Sequence, residues 1–293
     1  MRNDTLEGLL KEGTAALKCA GITEAGLDAW LLLEYITEKN RAYYYAHAEE
    51  AVEETKAAHY RQLIEKRAGH IPLQHLTHQA FFMGYEFYVN EHVLIPRQDT
   101  EVLVEEALRL MKSMNEPKIL DMCTGSGCIL LSLLLEKEGR TGTGADISEE
   151  ALKVAKRNAE ANNVTKNADF VKSDIFSALY FCKICGNESL KYDMLISNPP
   201  YIPTKEIDGL MEEVRFHDPR LALDGKEDGL YFYRRITEES KEYLKKGGWL
   251  LYEIGCEQGP DVAGIMRKAG FTDVEIKKDL AGLDRVVLGR KPL

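Results

Sequence analysis

Apolar residues recur at helical spacing through residues 1–75: Leu6, Leu9, Leu10 and Leu17, then Leu27, Trp30, Leu31 and Tyr35. Gly13, Gly21, Gly26 and Asn40 punctuate these runs, and a further helix is predicted from Glu53 to Arg67. The pattern changes at His78. The stretch "HQAFFMGYEFYVNEHVLIP" (78–96) sets Phe82, Tyr85, Phe87, Val89, Val93 and Ile95 around a central Asn-Glu, which predicts a β-hairpin linking the helical part to the rest.

From about residue 117 the period alternates between strand and helix. "KILDMC" (118–123), "TGTGADI" (141–147), "ADFVKSD", "YDMLISN" and "WLLYEI" (249–254) read as strands. "GCILLSLLLEK" (127–137), the run after Ser148 as N-cap, "GLYFYRRITEESKEYLKKGG" (229–248) and "GPDVAGIMRKAG" read as helices. "TDVEIKKD" and "RVVLGRK" close the chain as strands with no helix between them, so they should pair antiparallel. Alternation of this kind predicts a mostly parallel α/β sheet covered on both faces. Three segments follow: helical residues 1–75, the hairpin linker 76–96, and an α/β domain over 97–293.

Composition narrows the partners. The 293-residue chain carries a net charge of −10, and residues 1–75 hold 9 Lys/Arg against 12 Asp/Glu. A chain built to grip nucleic acid usually presents many cations to the phosphates, so the balance argues against nucleic acid as a direct partner. No apolar run reaches the roughly 18 residues of a membrane span, and the N-terminus lacks an apolar signal core, so a cytoplasmic location without membrane contact is expected. Whether residues 1–75 only pack or also recognise a substrate is open at this level.

The chemistry gathers at the strand ends. In "DMCTGSGC" (121–128), Gly125 and Gly127 allow a tight turn and close backbone approach to a ligand, with Cys123, Thr124 and Ser126 beside them. A lone G-x-G also serves as a plain loop. Here it follows a strand, and Asp146 ends the next strand, where an acid can bond a ribose diol. Leu130 stands where a dinucleotide turn has its third glycine, so the pattern fits a nucleoside such as S-adenosyl-L-methionine better than a dinucleotide. Asp174 and Ile175 end the third strand; they could meet an adenine amine and cover its ring, or Asp174 could cap a helix.

"ISNPPYIP" (196–203) is a stiff turn directly after a core strand. The Asn198 side-chain carbonyl and the Pro199 backbone carbonyl can accept two N–H bonds from a planar nitrogen. Pro200 fixes their geometry, and Tyr201 can pack on the flat group. Such a clamp steers a nitrogen lone pair at a sulfonium methyl and tightens as charge builds in the transition state.

Asn198-Pro199-Pro200-Tyr201 matches the signature of amino-methylating enzymes, and over nearly its full length the chain resembles the peptide chain release factor N5-glutamine methyltransferase family. The blocks "FFMGYEFYVNEHVLIPRQDTE" (81–101), "DMCTGSGCI", "SNPPYIP", "DPRLALDGKEDGL" (218–230) and "GLDRVVLGR" (282–290) carry the resemblance in order. It implies a class I S-adenosylmethionine-dependent methyltransferase fold: a Rossmann-like, mostly parallel sheet with the last strand antiparallel, an N-terminal helical substrate-recognition domain and a β-hairpin linker. It further implies a release factor as protein substrate, its Gly-Gly-Gln glutamine held by Asn198, Pro199, Pro200 and Tyr201. The cofactor would lie against Cys123 to Gly127, Asp146, Asp174, Ile175 and Asn198, and leave as S-adenosyl-L-homocysteine. Gln98, Asp218 and Ile175 depart from the family's usual residues, which bears on loop contacts rather than chemistry. A DNA adenine-N6 or cytosine-N4 amino-methyltransferase would use the same clamp but needs a basic cleft, and a non-catalytic cofactor-binding module would not need the clamp. Cys182 and Cys185, in an apparent insertion at 180–192, have a C-x-x-C spacing without further ligands nearby, so a surface loop with reduced thiols and no metal is expected.

Overall fold

The computed structural model describes residues 4–184 and 191–293, the side chains of 181–184 excepted. By contacts the chain divides into two units, one of residues 1–79 with 211–217, the other of 80–210 with 218–293.

The first unit contains α1 (Leu6–Cys19), α2 (Ala25–Thr37), α3 (Arg41–Ala46), α4 (Glu54–Ala68) and α5 (Leu73–Thr77). The Thr5 and Asn40 side chains cap α1 and α3 by accepting from Gly8 N and Tyr43 N. Leu9, Leu17, Ala29, Leu32, Leu33, Ala57 and Tyr60 lie in its core; on α1 this is the predicted stripe, whereas on α2 the expected Leu27 and Tyr35 are exposed and, besides Trp30, the buried face is Ala25, Ala29, Leu32, Leu33 and Ile36. Gly13 lies against the Tyr60 ring, where any Cβ would collide with the phenol. Arg67 on α4 is buried and bonds Asp28 Oδ2 at 2.7 Å and Glu213 Oε1 at 2.6 Å, which ties the distant segment 211–217 into this unit. Nothing in the apolar spacing announces that segment.

The second unit opens with a hairpin, β1 (Gln79–Phe82) and β2 (Tyr85–Tyr88). It turns at Met83-Gly84 and not at the expected Asn90-Glu91. Both turn residues have positive φ, 51° and 78°, as a tight two-residue hairpin turn requires. Val89, Val93 and Ile95 are instead buried in an irregular segment. A helix that the spacing did not single out follows, α6 (Glu101–Met111).

The sheet then unfolds in alternation: β3 (Lys118–Met122), α7 (Cys128–Leu135), β4 (Thr141–Asp146), α8 (Glu149–Ala161), β5 (Ala168–Lys172), α9 (Ser177–Ile184) and β6 (Tyr192–Ser197). After the short α10 (Glu212–His217) and α11 (Arg220–Leu223) come α12 (Tyr231–Ser240), β7 (Leu244–Glu253), α13 (Gly259–Lys268), β8 (Thr272–Lys278) and β9 (Asp284–Arg290). The seven strands lie in the order β5-β4-β3-β6-β7-β9-β8. The pairs from β5 through β7 are parallel, and β9 is antiparallel to both β7 and β8. Neighbouring residues of one strand serve opposite faces. Ile119, Met194, Ile196 and Leu251 join the core beneath α6 and α7, while Leu120, Leu195, Leu250 and Tyr252 join that beneath α12 and α13.

Two expectations need correction. The helix predicted over 229–248 ends at Ser240, and β7 starts at Leu244, fully buried opposite Tyr192. A register shift between Tyr192 and Met194 lets residues 245–248 bulge out, with Gly247 at φ 74°, before Trp249 resumes the ladder. The glycines therefore kink a strand rather than end a helix. Likewise, residues 180–184 finish α9 instead of opening a loop. The Cys182 and Cys185 thiols lie outside the described residues, among which no group of three or more His, Cys, Asp or Glu is arranged to hold a metal.

One buried side chain joins three pieces of this unit. Asn158 of α8 accepts from Tyr88 N at 2.7 Å and donates to Tyr88 O at 3.0 Å and Ser126 O at 2.9 Å. It thus holds the hairpin and the glycine-rich turn to one helix. Asn158→Ala leaves those buried backbone groups unpaired and should cost about 3 kcal/mol of stability, read from the shift of the urea midpoint.

Candidate active site

A cleft opens at the carboxyl ends of the parallel strands, where the order reverses between β3 and β6. Its walls come from residues 92–97, 122–126, 145–148 and 173–175, together with Asn198, Pro200, Pro219, Leu221, Ala222 and Phe232. Of the residues expected from sequence, Cys123, Thr124, Gly125, Ser126, Asp146, Asp174, Ile175, Asn198 and Pro200 line it together. Gly127, Pro199 and Tyr201 do not. Gly127 begins α7 at φ 80° and lies against Ala155 and Leu131, so its role is packing and turn conformation. Pro199 is buried, and Tyr201 packs partly into the core beneath α12.

The turn after β3 is built by backbone geometry and one acid. Asp146 Oδ2 accepts from Gly125 N and Oδ1 from Ser148 N, each at 2.9 Å. This carboxylate therefore orders the turn of its own strand and that of its neighbour. Burial raises its pKa, and the three backbone N–H groups of Ser148, Gly125 and Ile147 oppose the rise. A Cβ on Gly125 would meet nothing within 4 Å, so this side of the turn is free for a ligand.

Two non-glycine residues of the cleft, Cys123 and Ile175, have φ of 62° and 52°. For a β-branched isoleucine this is a costly conformation, about 1–3 kcal/mol. Ser173 holds it: its hydroxyl donates to Ile175 O at 2.6 Å and accepts from Ala178 N at 3.1 Å. The Cys123 thiol is pushed well up by burial, with Asp146 and Asp121 adding to the effect, so it is no nucleophile at neutral pH. Asp174 is exposed at the rim and pairs with Arg235 at 3.1 Å.

The Asn-Pro-Pro-Tyr turn is braced from behind. Ser197 Oγ donates to Met122 O at 2.6 Å, which ties the end of β6 to the end of β3. Gln258 Nε2 donates to Tyr201 O at 3.0 Å, Ile202 N to Leu223 O at 3.0 Å, and Gly225 N to Ile202 O at 2.8 Å. A Cβ on Gly225 would meet the Tyr201 backbone at 2.7 Å, so "LDGKEDG" owes its first glycine to close backbone approach. Arg97 pairs with the buried Asp218 carboxylate at 3.0 Å, which gives the shortened acid at 218 a definite partner.

Sequence reasoning missed two buried acids here, Asp121 and Glu253. Each is a lone carboxylate at the end of an apolar strand, a signal present in "KILDMC" and "WLLYEI". Burial pushes Asp121 up to about 7 against the hydrogen bonds of Thr124, whose hydroxyl lies 2.5 Å from Oδ2, and of Leu130 N.

Residues 8–77 match the PrmC N-terminal domain family and residues 98–225 the Methyltransferase small domain family. The chain is 39% identical to the release factor glutamine methyltransferase of Clostridium acetobutylicum, over 89% of this chain and 90% of that one. It is 40% identical to the enzyme of that name from Caulobacter vibrioides, over 97% and 96%. The chain belongs to the release factor glutamine methyltransferase family. The family's fold extends further: the hMettl16 catalytic domain, solved in complex with MAT2A 3′UTR hairpin 6, superposes with a TM-score of 0.56 at 16% identity, covering 81% of this chain and 82% of that one. At that identity the likeness shows the methyltransferase fold alone.

The raised Asp121 sets a pH dependence. A carboxyl raised in the fold contributes stability that is present at low pH and lost as pH rises through the folded value of about 7. Relative to wild type, Asp121→Asn should therefore gain stability between pH 5 and pH 8, which thermal melts of both proteins across that range would check.

Proposed function

We propose that this chain transfers a methyl group from S-adenosyl-L-methionine to the side-chain N5 of the glutamine in the Gly-Gly-Gln loop of peptide chain release factors. The observation that carries the reading is the shared cleft: Asn198 and Pro200, from the Asn-Pro-Pro-Tyr turn, line the same walls as Gly125 and Asp146. Membership of the family supports the substrate. The helical residues 1–75 are taken as the part that reads the release factor, 76–96 as linker and 97–293 as the methyltransferase part. No helix among the described residues is long and apolar enough to cross a membrane. A substrate from the translation machinery supports a cytoplasmic reaction.

The cleft fits the cofactor. Asp146 supplies a carboxylate for a ribose diol, the open side of Gly125 leaves room for the amino-acid end, and Ile147 and Ile175 offer apolar cover for a purine. When bound, S-adenosyl-L-methionine supplies an electrophilic methyl on sulfur and leaves as the neutral thioether S-adenosyl-L-homocysteine. The chain's own part is positioning. The Asn198 side-chain carbonyl and the Pro199 backbone carbonyl accept the two N–H bonds of the glutamine amide, and Tyr201 anchors the turn that presents them. This holds the nitrogen lone pair along the line of transfer. As the N–C bond forms, the nitrogen becomes positive and both acceptors bind it more strongly. One N–H proton then passes to water, since an N-protonated amide is strongly acidic, and no side-chain base is needed.

Two measurements test this. S-adenosyl-L-homocysteine should raise the melting temperature of wild type, and Asp146→Ala should lose most of that rise while still melting cooperatively. An undiminished rise would place the ribose elsewhere. Asn198→Ala should keep cofactor binding and lower turnover by a factor on the order of 100 or more. Transfer of labelled methyl is measured with an intact release factor, with the same factor carrying Gln→Ala in its Gly-Gly-Gln loop, and with duplex DNA. Label on the glutamine-free factor or on DNA would sink the assignment.

A further inference from the structure

Glu253 ends β7 immediately beside the clamp. Ser197 and Tyr252 are paired across β6 and β7, so Asn198 and Glu253 are the next residues on two adjacent strand ends. Glu253 is 2% exposed, and its Oε2 has no hydrogen-bond partner. A buried carboxylate left in this state is costly unless its surroundings need it. Asn198 and Thr100 are near enough to hold its pKa down, and both line the cleft, whereas Glu253 itself does not.

We propose that Glu253 is a positioning residue for the methyl transfer, its carboxylate taking a side-chain N–H of Asn198 and so turning the Asn198 carbonyl oxygen toward the acceptor amide. This rests on the reading of Asn198 given under the proposed function. An asparagine amide is nearly symmetric in shape, yet its two ends do opposite things. Only the oxygen end can accept from the glutamine N–H; the NH2 end would repel it. An ionised carboxylate accepts and cannot donate, so it bonds the NH2 end alone and fixes the amide the right way round. A protonated carboxyl gains an O–H that bonds the oxygen end equally well, and the orientation is no longer enforced.

Glu253 is placed to change state near neutrality. Burial pushes it up to about 7, opposed first by Thr100, then by Arg285 and Asn198, while Asp99 adds to the rise. The other charged or titratable groups facing it are Tyr201, Tyr233 and Cys128, all neutral at this pH. Arg285, held by Asp99 and Asp279 at 3.0 Å each, is the nearby cation whose charge favours the ionised form. Since the ionised form is the active one, turnover should be present above this ionisation and lost as pH falls through it.

The test is kcat and KM for labelled methyl transfer to an intact release factor from pH 5.5 to 9, beside cofactor binding by calorimetry. Wild-type kcat should rise with pH through one ionisation near neutrality. Glu253→Gln, whose amide can bond either end of Asn198, should be slower by a factor on the order of ten to a hundred. Its rate should be flat across that limb, with the release factor KM and cofactor affinity little changed. Thr100→Val removes a group that lowers the Glu253 pKa and should move the limb to higher pH. Wild-type kcat in Glu253→Gln, a limb that survives in it, or a limb that stays put in Thr100→Val would overturn the proposal. If Glu253→Gln does not fold, the Thr100→Val shift decides. Absence of transfer by wild type at every pH would overturn the functional reading and this inference with it, whereas transfer without any acid limb would overturn this inference alone.

Discussion

The adjacency of β3 and β6 is the constraint on which the site depends. The two strands are remote in sequence and parallel, with Met122 paired to Ser197. The Ser197 hydroxyl reaches across to Met122 O and fixes their ends in step. Everything chemical begins one residue later on each strand: the glycine-rich turn after Met122 and the Asn-Pro-Pro-Tyr turn after Ser197. A crossover reversal at that pair leaves a gap above the sheet that no helix fills, and the two turns face each other across it. Because both strands are buried on both faces, neither end can shift without disturbing two cores at once.

Around that pair, several polar side chains of the second unit hold loops still. Asn158, Asp146, Ser173 and Gln258 each bond backbone atoms of a loop and present little to solvent. Cys123 and Ile175 hold left-handed backbone that only such bracing tolerates. The pattern is that of a site prepared in advance, in which the ordering cost is met on folding and not on each encounter with substrate.

Much of this was legible in the chain. The alternation of strand-like and helix-like segments located every strand of the parallel sheet; β3 and β6, buried on both faces, read as short apolar runs, while β4 and β5 were marked by their place between helices. Strand-end position then singled out Asp146, Asn198 and the glycine turn, which line one cleft. What escaped has physical reasons. The hairpin turn was misplaced because Met83-Gly84 looks less turn-like than Asn90-Glu91, though it alone adopts the paired positive φ. The helix drawn to Gly248 was too long because a bulged strand start, Leu244, carries no periodic mark. Glu253 was legible as a lone acid ending an apolar strand, but its place beside Asn198 was not, because spacing along one chain does not report a neighbour on another strand. Tyr201 was read as a wall of the site from its place in the signature, yet its ring packs partly into the core.

The segment 211–217 leaves the second unit's chain, contributes Glu213 to the buried Arg67 hub of the helical unit, and returns. The helical unit is therefore discontinuous, and its polypeptide is threaded through the loop between the clamp turn and the glycine block that braces it. A cut after residue 79 does not release the whole helical unit, because residues 211–217 stay behind. A graft from a relative has to carry both pieces, or Arg67 loses its partner Glu213. In this chain modularity is a property of contacts rather than of sequence order.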